Sequence, residues 1–157
     1  LQAAGRRPED LDLIIYGTCT PDTQVPSTAC WIQQKIGAKK AAGFDVNAAC
    51  SGFLYAMHIA QQFLNNGTAS VVLVVGSDVL SSHTNWKDRT SCILFGDGAG
   101  AVVLDRSPET ARERSPESKT VLASRIASDG TQWELFHTVA GGSARPSTPE
   151  TLAEGLD

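Results

Sequence analysis

Gly43-Phe44-Asp45-Val46-Asn47-Ala48-Ala49-Cys50-Ser51-Gly52-Phe53-Leu54-Tyr55-Ala56-Met57-His58-Ile59-Ala60-Gln61-Gln62-Phe63-Leu64-Asn65-Asn66-Gly67 decides the fold. A short apolar strand, Phe44-Asp45-Val46, opens it. Small residues carry the chain through Cys50, Ser51 and Gly52 into a segment whose apolar positions Phe53, Met57, Ala60 and Leu64 repeat at helical spacing. Leu54, Tyr55, Ala56, Ile59 and Phe63 fill the adjacent faces, leaving His58, Gln61, Gln62 and Asn65 as a narrow polar strip. A helix so apolar is expected to be mostly buried. The spacing therefore predicts a cysteine in the first turn of a buried helix, after a sharp strand-to-helix turn. A helix N-terminus favours negative charge through its unpaired N–H groups and dipole. Thiolate is the nucleophilic form of cysteine, and such a site lowers its pKa. Ala48, Ala49, Ser51 and Gly52 leave room for a substrate carbonyl, as at the nucleophile elbows of other strand–turn–helix units. Local sequence leaves two readings of Cys50 open: a nucleophile, or a buried structural cysteine of the common kind.

The surrounding chain bounds these readings. It has 157 residues, 41% hydrophobic and 19% charged, enough for one domain with a core. The net charge of −4 gives no electrostatic case for nucleic acid. No apolar run has the length of a membrane-crossing helix. Cys19, Cys30, Cys50 and Cys92 form no C-x-x-C pair and no metal-ligand spacing, so reduced thiols, a cytoplasmic location and no metal site are expected. The first residue is Leu1 and the last stretch is polar, and both ends read as cuts through a longer polypeptide.

Outward from the cysteine, the pattern alternates. Leu1–Ala4 reads as a helix terminus capped by Gly5, and residues 8–10 as a turn. A strand with a doubly buried centre is expected over 11–20, and a helix from Pro26 to Ile36 stopped by Gly37. Val71–Val75 is an uninterrupted β-branched strand with Gly76-Ser77-Asp78 at its C-terminal end, where open α/β sheets place ligands. Gly96-Asp97-Gly98-Ala99-Gly100 leads into a strand rather than a helix, so it fails as a dinucleotide fingerprint and reads as a tight turn with close packing. Residues 107–119 read as an exposed charged loop, 120–127 as a strand, and 141–149 as mobile linker. The order is that of an α/β layered sheet.

With those residues assembled, the chain resembles the N-terminal half of a β-ketoacyl-acyl-carrier-protein synthase III, of the thiolase superfamily. The resemblance rests on Asp45-Val46-Asn47-Ala48-Ala49-Cys50-Ser51-Gly52-Phe53, Val74-Val75-Gly76-Ser77-Asp78-Val79-Leu80, Asp88-Arg89-Thr90 and Phe95-Gly96-Asp97-Gly98-Ala99-Gly100-Ala101. It implies a layered thiolase-like half-domain, with a mostly parallel sheet and helices on both faces. Residues 1–135 would be that partial N-terminal domain and 136–157 a linker toward the C-terminal half. It implies that Cys50 is the catalytic nucleophile, taking an acyl group from acyl-coenzyme A before condensation with malonyl-acyl-carrier protein. The Cys50 N–H would be half of an oxyanion hole. Arg89 would pack on the adenine of coenzyme A and Phe95 would line the pocket. Val25 stands where family members often carry a Phe reaching into a neighbouring subunit's acyl pocket, so longer or branched acyl groups would fit. The implied enzyme is a cytoplasmic homodimer serving fatty acid or polyketide initiation. It has no cofactor; acyl-coenzyme A and acyl carrier protein are substrate and partner, with no role for nucleic acid or membrane.

The resemblance also implies what lies elsewhere. The family's catalytic His and Asn belong to its C-terminal half. His58, about 12 Å along its helix from the start, is out of reach of Cys50 and reads as a surface histidine, as do His83 and His137. A first strand, central in the sheet, would precede Leu1, so that its two flanking strands would present bare edges here. On that ground the isolated stretch is expected to fold poorly and to be inactive in condensation. The alternatives are a relative that only transfers acyl groups, a hydroxymethylglutaryl-type synthase, or a non-catalytic partner subunit; a retained Cys50 speaks against the last.

Overall fold

The computed structural model describes residues 1–106 and 120–156. Two compact units divide them: residues 1–78 with 97–126, and residues 79–96 with 127 onward.

The first unit is built on a four-stranded sheet of β1 (Leu13–Gly17), β2 (Ala42–Val46), β3 (Val71–Val79) and β4 (Asp97–Asp105), in the order β2-β1-β3-β4. β1 runs parallel to both β2 and β3, with Ile15 opposite Phe44 on one side and Val74 on the other. The Arg106 N–H donates to the Ser70 carbonyl at 2.9 Å, so the end of β4 lies beside the start of β3 and the two strands are antiparallel. Every residue of β1 is buried, as its apolar run required.

The pleat of β1 sorts the core. Ile14 and Tyr16 face α1 (Thr28–Ile36) and cluster with Ala29, Leu73 and Leu11. Leu13 and Ile15 face α2 (Gly52–Asn65) and cluster with Ala56, Ala60, Leu64, Val72 and Val74. Helices thus cover both faces of the sheet. α1 ends where Gly37 takes a left-handed conformation and returns its N–H to Gln33 and Gln34.

Three carboxylates tie strands to loops. Asp45 of β2 accepts from the Thr28 and Ala29 N–H groups at 2.6 and 2.9 Å, closing the start of α1. Asp12 accepts from the Ser70 and Val71 N–H groups and from Lys40 Nζ at 2.8, 3.1 and 3.1 Å. Burial works against the Asp12 charge, but these bonds outweigh it and hold the carboxyl below its usual range. Asp78 does the same at the other end of the sheet.

Four expectations are corrected. The strands thought to have bare edges pair directly: β1 and β3 satisfy each other's backbone groups along five residues, so that ground for poor folding falls away. Residues 96–100 are no tight turn; Gly98 and Gly100 lie in extended β4 with open space where a Cβ would stand. Residues 120–127 form no strand. Val121 instead offers its carbonyl to the Gln61 side chain, and Ser124 bonds His58, so the segment is held by the polar strip of α2. α2 itself is half-buried: Gly52, Ala56, Ala60 and Leu64 form the buried stripe while Leu54 is 65% exposed. The charged loop expected over 107–119 lies outside the described residues.

The second unit contains a short helix in the stretch read as linker. In α3 (Pro149–Glu154), Thr148 caps the helix by accepting from the Thr151 N–H, Pro149 occupies its first turn, and Gly155 ends it in a left-handed conformation.

Candidate active site

Cys50 stands in the turn between β2 and α2, and the turn is forced by packing. Gly17, at the C-terminal end of β1, meets the start of α2 backbone to backbone. A Cβ at Gly17 would come within 2.5 Å of the Gly52 carbonyl carbon and 2.7 Å of its oxygen and of the Phe53 nitrogen. Gly76 of β3 gives the same relief to the Phe53 side chain, which a Cβ would meet at 3.0 Å. β1 thus ends in glycine and β3 carries a glycine beside it where the helix begins, and α2 seats on them. The chain must reverse within Asn47–Ser51. It does so through Ala49 at φ 45°, a left-handed conformation that costs a non-glycine residue roughly 1–2 kcal/mol. Ser51 and Gly52 donate to the carbonyls of Ala48 and Ala49 at 3.0 and 2.9 Å, and the Asn47 side chain accepts from the Ala49 N–H.

The result differs in one respect from the expectation. Cys50 precedes the Ser51 N-cap and the first helical residue Gly52, so it lies in the turn rather than inside the helix. Its side chain is exposed, which removes the reading of a buried structural cysteine. A strained turn presenting an exposed thiol above the C-terminal ends of parallel strands is the geometry of a nucleophile elbow.

Sequence reasoning placed Asp78 at the ligand-binding end of its strand but gave it no partners. Asp78 at the end of β3 reaches the residues that leave β1. Its Oδ1 accepts from Thr18 Oγ1 at 2.9 Å, the Cys19 N–H at 2.8 Å, Cys19 Sγ at 3.4 Å and Thr20 Oγ1 at 3.3 Å. Burial opposes the Asp78 charge, but the Cys19 and Thr18 bonds prevail and keep the carboxyl below its usual range. The signal available was its place at the C-terminal end of a buried parallel strand.

The other candidate residues distribute as follows. Val25 is 85% exposed in the loop before α1, in the same unit as Cys50. Arg89 and Phe95 belong to the second unit. Arg89 is exposed in a turn organised by Asp88, whose carboxylate accepts from the Ser91 hydroxyl, the Thr90 hydroxyl and the Thr90 N–H. These bonds hold the Asp88 carboxyl down at about 2. Phe95 stacks on Phe136 with ring centroids 5.8 Å apart. His58 is half-buried rather than a free surface residue, its Nδ1 2.8 Å from Ser124 Oγ. His83 and His137 are exposed. No helix among the described residues is long and apolar enough to cross a membrane.

A mixed sheet between two helices, with a cysteine turn over its strand ends, defines a thiolase-like α/β chain. The sequence model of the family described as 3-Oxoacyl-[acyl-carrier-protein (ACP)] synthase III matches residues 44–130, more than half of the chain. The chain belongs to that family. The Beta-ketoacyl-[acyl-carrier-protein] synthase III of Natranaerobius thermophilus is 46% identical over 153 residues, 98% of this chain and 45% of that protein. The crystal structure of 3-oxoacyl-[acyl-carrier-protein] synthase III from Aquifex aeolicus VF5 superposes with a TM-score of 0.67 at 53% identity, over 68% of this chain and 35% of the other. The priming β-ketosynthase from the R1128 polyketide biosynthetic pathway superposes with a TM-score of 0.66 at 38% identity, over 68% of this chain and 32% of the other. The chain therefore spans less than half the length of these relatives.

Proposed function

We propose that the protein to which this chain belongs condenses an acyl-coenzyme A primer with malonyl-acyl-carrier protein, starting a fatty acid or polyketide chain. The carrying observation is the exposed Cys50 thiol, held by the Gly17–Gly52 contact on a strained turn above the sheet. In this reading the Cys50 sulfur attacks the thioester carbonyl, a new S–C bond forms, and the C–S bond to coenzyme A breaks. Coenzyme A leaves as its thiol. Decarboxylation of the malonyl group then supplies the carbanion that displaces the acyl group from Cys50. Splitting the condensation this way replaces one difficult step by two easier ones.

The remaining roles are part of the same proposal. The Cys50 N–H donates to the thioester oxygen, with the second donor, the His and the Asn coming from the other half of the enzyme. Arg89 offers an exposed guanidinium plane for adenine. Val25 opens the acyl pocket of a neighbouring subunit, which makes the enzyme a homodimer tolerant of longer or branched primers. Phe95 lines a pocket wall; its stacking on Phe136 supports a fixed ring position. Four free cysteines fit a cytoplasmic enzyme.

The test is product formation by the full-length protein supplied with acyl-coenzyme A and malonyl-acyl-carrier protein. Ketoacyl-carrier protein forms with Cys50 present and is lost with Cys50→Ala. Acyl loading without ketoacyl product would leave the acyl-transfer-only reading in its place.

A further inference from the structure

Two thiols flank one point of this structure. Cys19 lies two residues past Gly17, and Cys50 two residues before Gly52, the glycines that touch. Cys19 is half-exposed and Cys50 exposed. Two neighbouring thiols that both met an acyl thioester would both be acylated, since thioester exchange between thiols is nearly isoenergetic. A stray acyl group on Cys19 would occupy space beside the working sulfur. The chain therefore needs a chemical difference between the two.

Asp78 supplies one. Its Oδ1 lies 3.4 Å from Cys19 Sγ, within reach of an S–H donor, and the same oxygen accepts the Cys19 N–H at 2.8 Å. The sulfur is thereby fixed by two bonds from one residue to one carboxylate. Deprotonating Cys19 would set a thiolate against that carboxylate, 3.4 Å away. The three other donors, from Thr18, Thr20 and the Cys19 backbone, keep Asp78 ionised in place.

We propose that Asp78 is a positioning residue that holds Cys19 as a non-nucleophilic thiol by accepting its S–H bond, and so confines acyl transfer to Cys50. The naming of the acyl group rests on the function proposed above; the difference in thiol reactivity does not. Burial, followed by the bond and the charge of Asp78, pushes the Cys19 thiol up to about 11, which agrees with this assignment.

The experiment is site-resolved labelling of the full-length protein with iodoacetamide near pH 8, followed by peptide mass spectrometry. Cys50 is expected to label at least about tenfold faster than Cys19. Asp78→Asn keeps an accepting oxygen for Thr18 and the Cys19 N–H, but it removes the charge that opposes a thiolate and adds an N–H2 that can donate to one. Each unit by which the thiol's pKa falls raises its thiolate fraction tenfold. The accompanying loss of nucleophilicity leaves a net gain of about threefold in rate. Cys19 labelling should therefore rise at least about threefold in Asp78→Asn, and acyl-coenzyme A should then place acyl mass on Cys19 as well as Cys50. Thr18→Val removes one of the donors to Asp78 and the acceptor of the Thr20 N–H but keeps the carboxylate with its Thr20 and Cys19 donors, so Cys19 should stay slow. The proposal is overturned if Cys19 labels as fast as Cys50 in the unchanged protein, if Asp78→Asn leaves Cys19 unchanged, or if Thr18→Val raises it equally. Failure of acyl-coenzyme A to load Cys50 at all would instead count against the proposed function.

Discussion

Replacing Gly17 by Ala tests the packing that presents Cys50. The added Cβ would lie 2.5 Å from the Gly52 carbonyl carbon, whereas ordinary contact begins at 3.4 Å. About 0.9 Å of separation must be found, and the atoms met are all backbone, so no rotamer change supplies it. Either the buried end of β1 or the start of α2 has to move. β1 is hydrogen-bonded on both sides, so α2 and the turn before it yield. Overpacking of this kind costs about 1–3 kcal/mol. Displacing a reacting group by about 1 Å costs on the order of 10²-fold in rate. The reverse substitution is a control, because a Cβ on Gly52 meets Gly17 no closer than 3.4 Å. Gly52→Ala should be near neutral or slightly stabilising, since Ala exceeds Gly in helix propensity by about 1 kcal/mol. Urea unfolding of both variants, with the rate of acyl loading from acyl-coenzyme A, reads the asymmetry. Equal midpoints and equal loading rates for Gly17→Ala and the unchanged protein would refute the packing argument.

Three further outcomes follow from particular contacts. Asp45→Ala strips both N-terminal N–H groups of α1 of their acceptor and should cost about 1–3 kcal/mol in urea unfolding. Asp88 is held at about 2 from an ordinary 3.8, so its contribution to the turn is present above about pH 4 and is lost as pH falls through about 2. Ser91→Ala should move the Asp88 carboxyl titration, followed by carbon-detected NMR, up toward 3.8. If Val25 opens the acyl pocket as proposed, Val25→Phe should shift primer choice toward acetyl by at least the roughly 10–200-fold in relative kcat/KM that a single methylene gives, since Phe adds four carbons.

The parts of the fold set by local pattern were legible in the sequence. β1 and β3 are unbroken apolar runs, α1 and α2 carry helical spacing with glycine or asparagine stops, and the Asp45-to-Phe53 run placed Cys50 at the junction of strand and helix. What escaped were decisions made by distant residues. Asp78 grips residues about 60 positions earlier in the chain, and Asp12 grips Ser70 and Val71 at similar range, so neither bond has a local trace. Residues 120–127 have strand-like composition, yet their partners are the Gln61 and His58 side chains rather than a strand edge. The glycines of 96–100 suggested a turn, whereas Gly98 and Gly100 run extended in β4 with open space where a Cβ would stand. α3 was missed although Thr148-Pro149-Glu150-Thr151 carried its capping pattern, because the polar composition around it dominated the reading. Cys50 emerged as a candidate from its place between a strand and a helix start among small residues, whereas the close contact of Gly17 with Gly52 that seats the helix left no local trace.

In the proposed function the acyl chain becomes covalently bound at Cys50. Incubation of the full-length protein with acyl-coenzyme A alone, then digestion and mass spectrometry under conditions that preserve thioesters, addresses it most directly. One acyl mass is expected on the peptide carrying Cys50, removed by hydroxylamine and absent in Cys50→Ala. Acyl mass on other residues with the Cys50 peptide unmodified would contradict it.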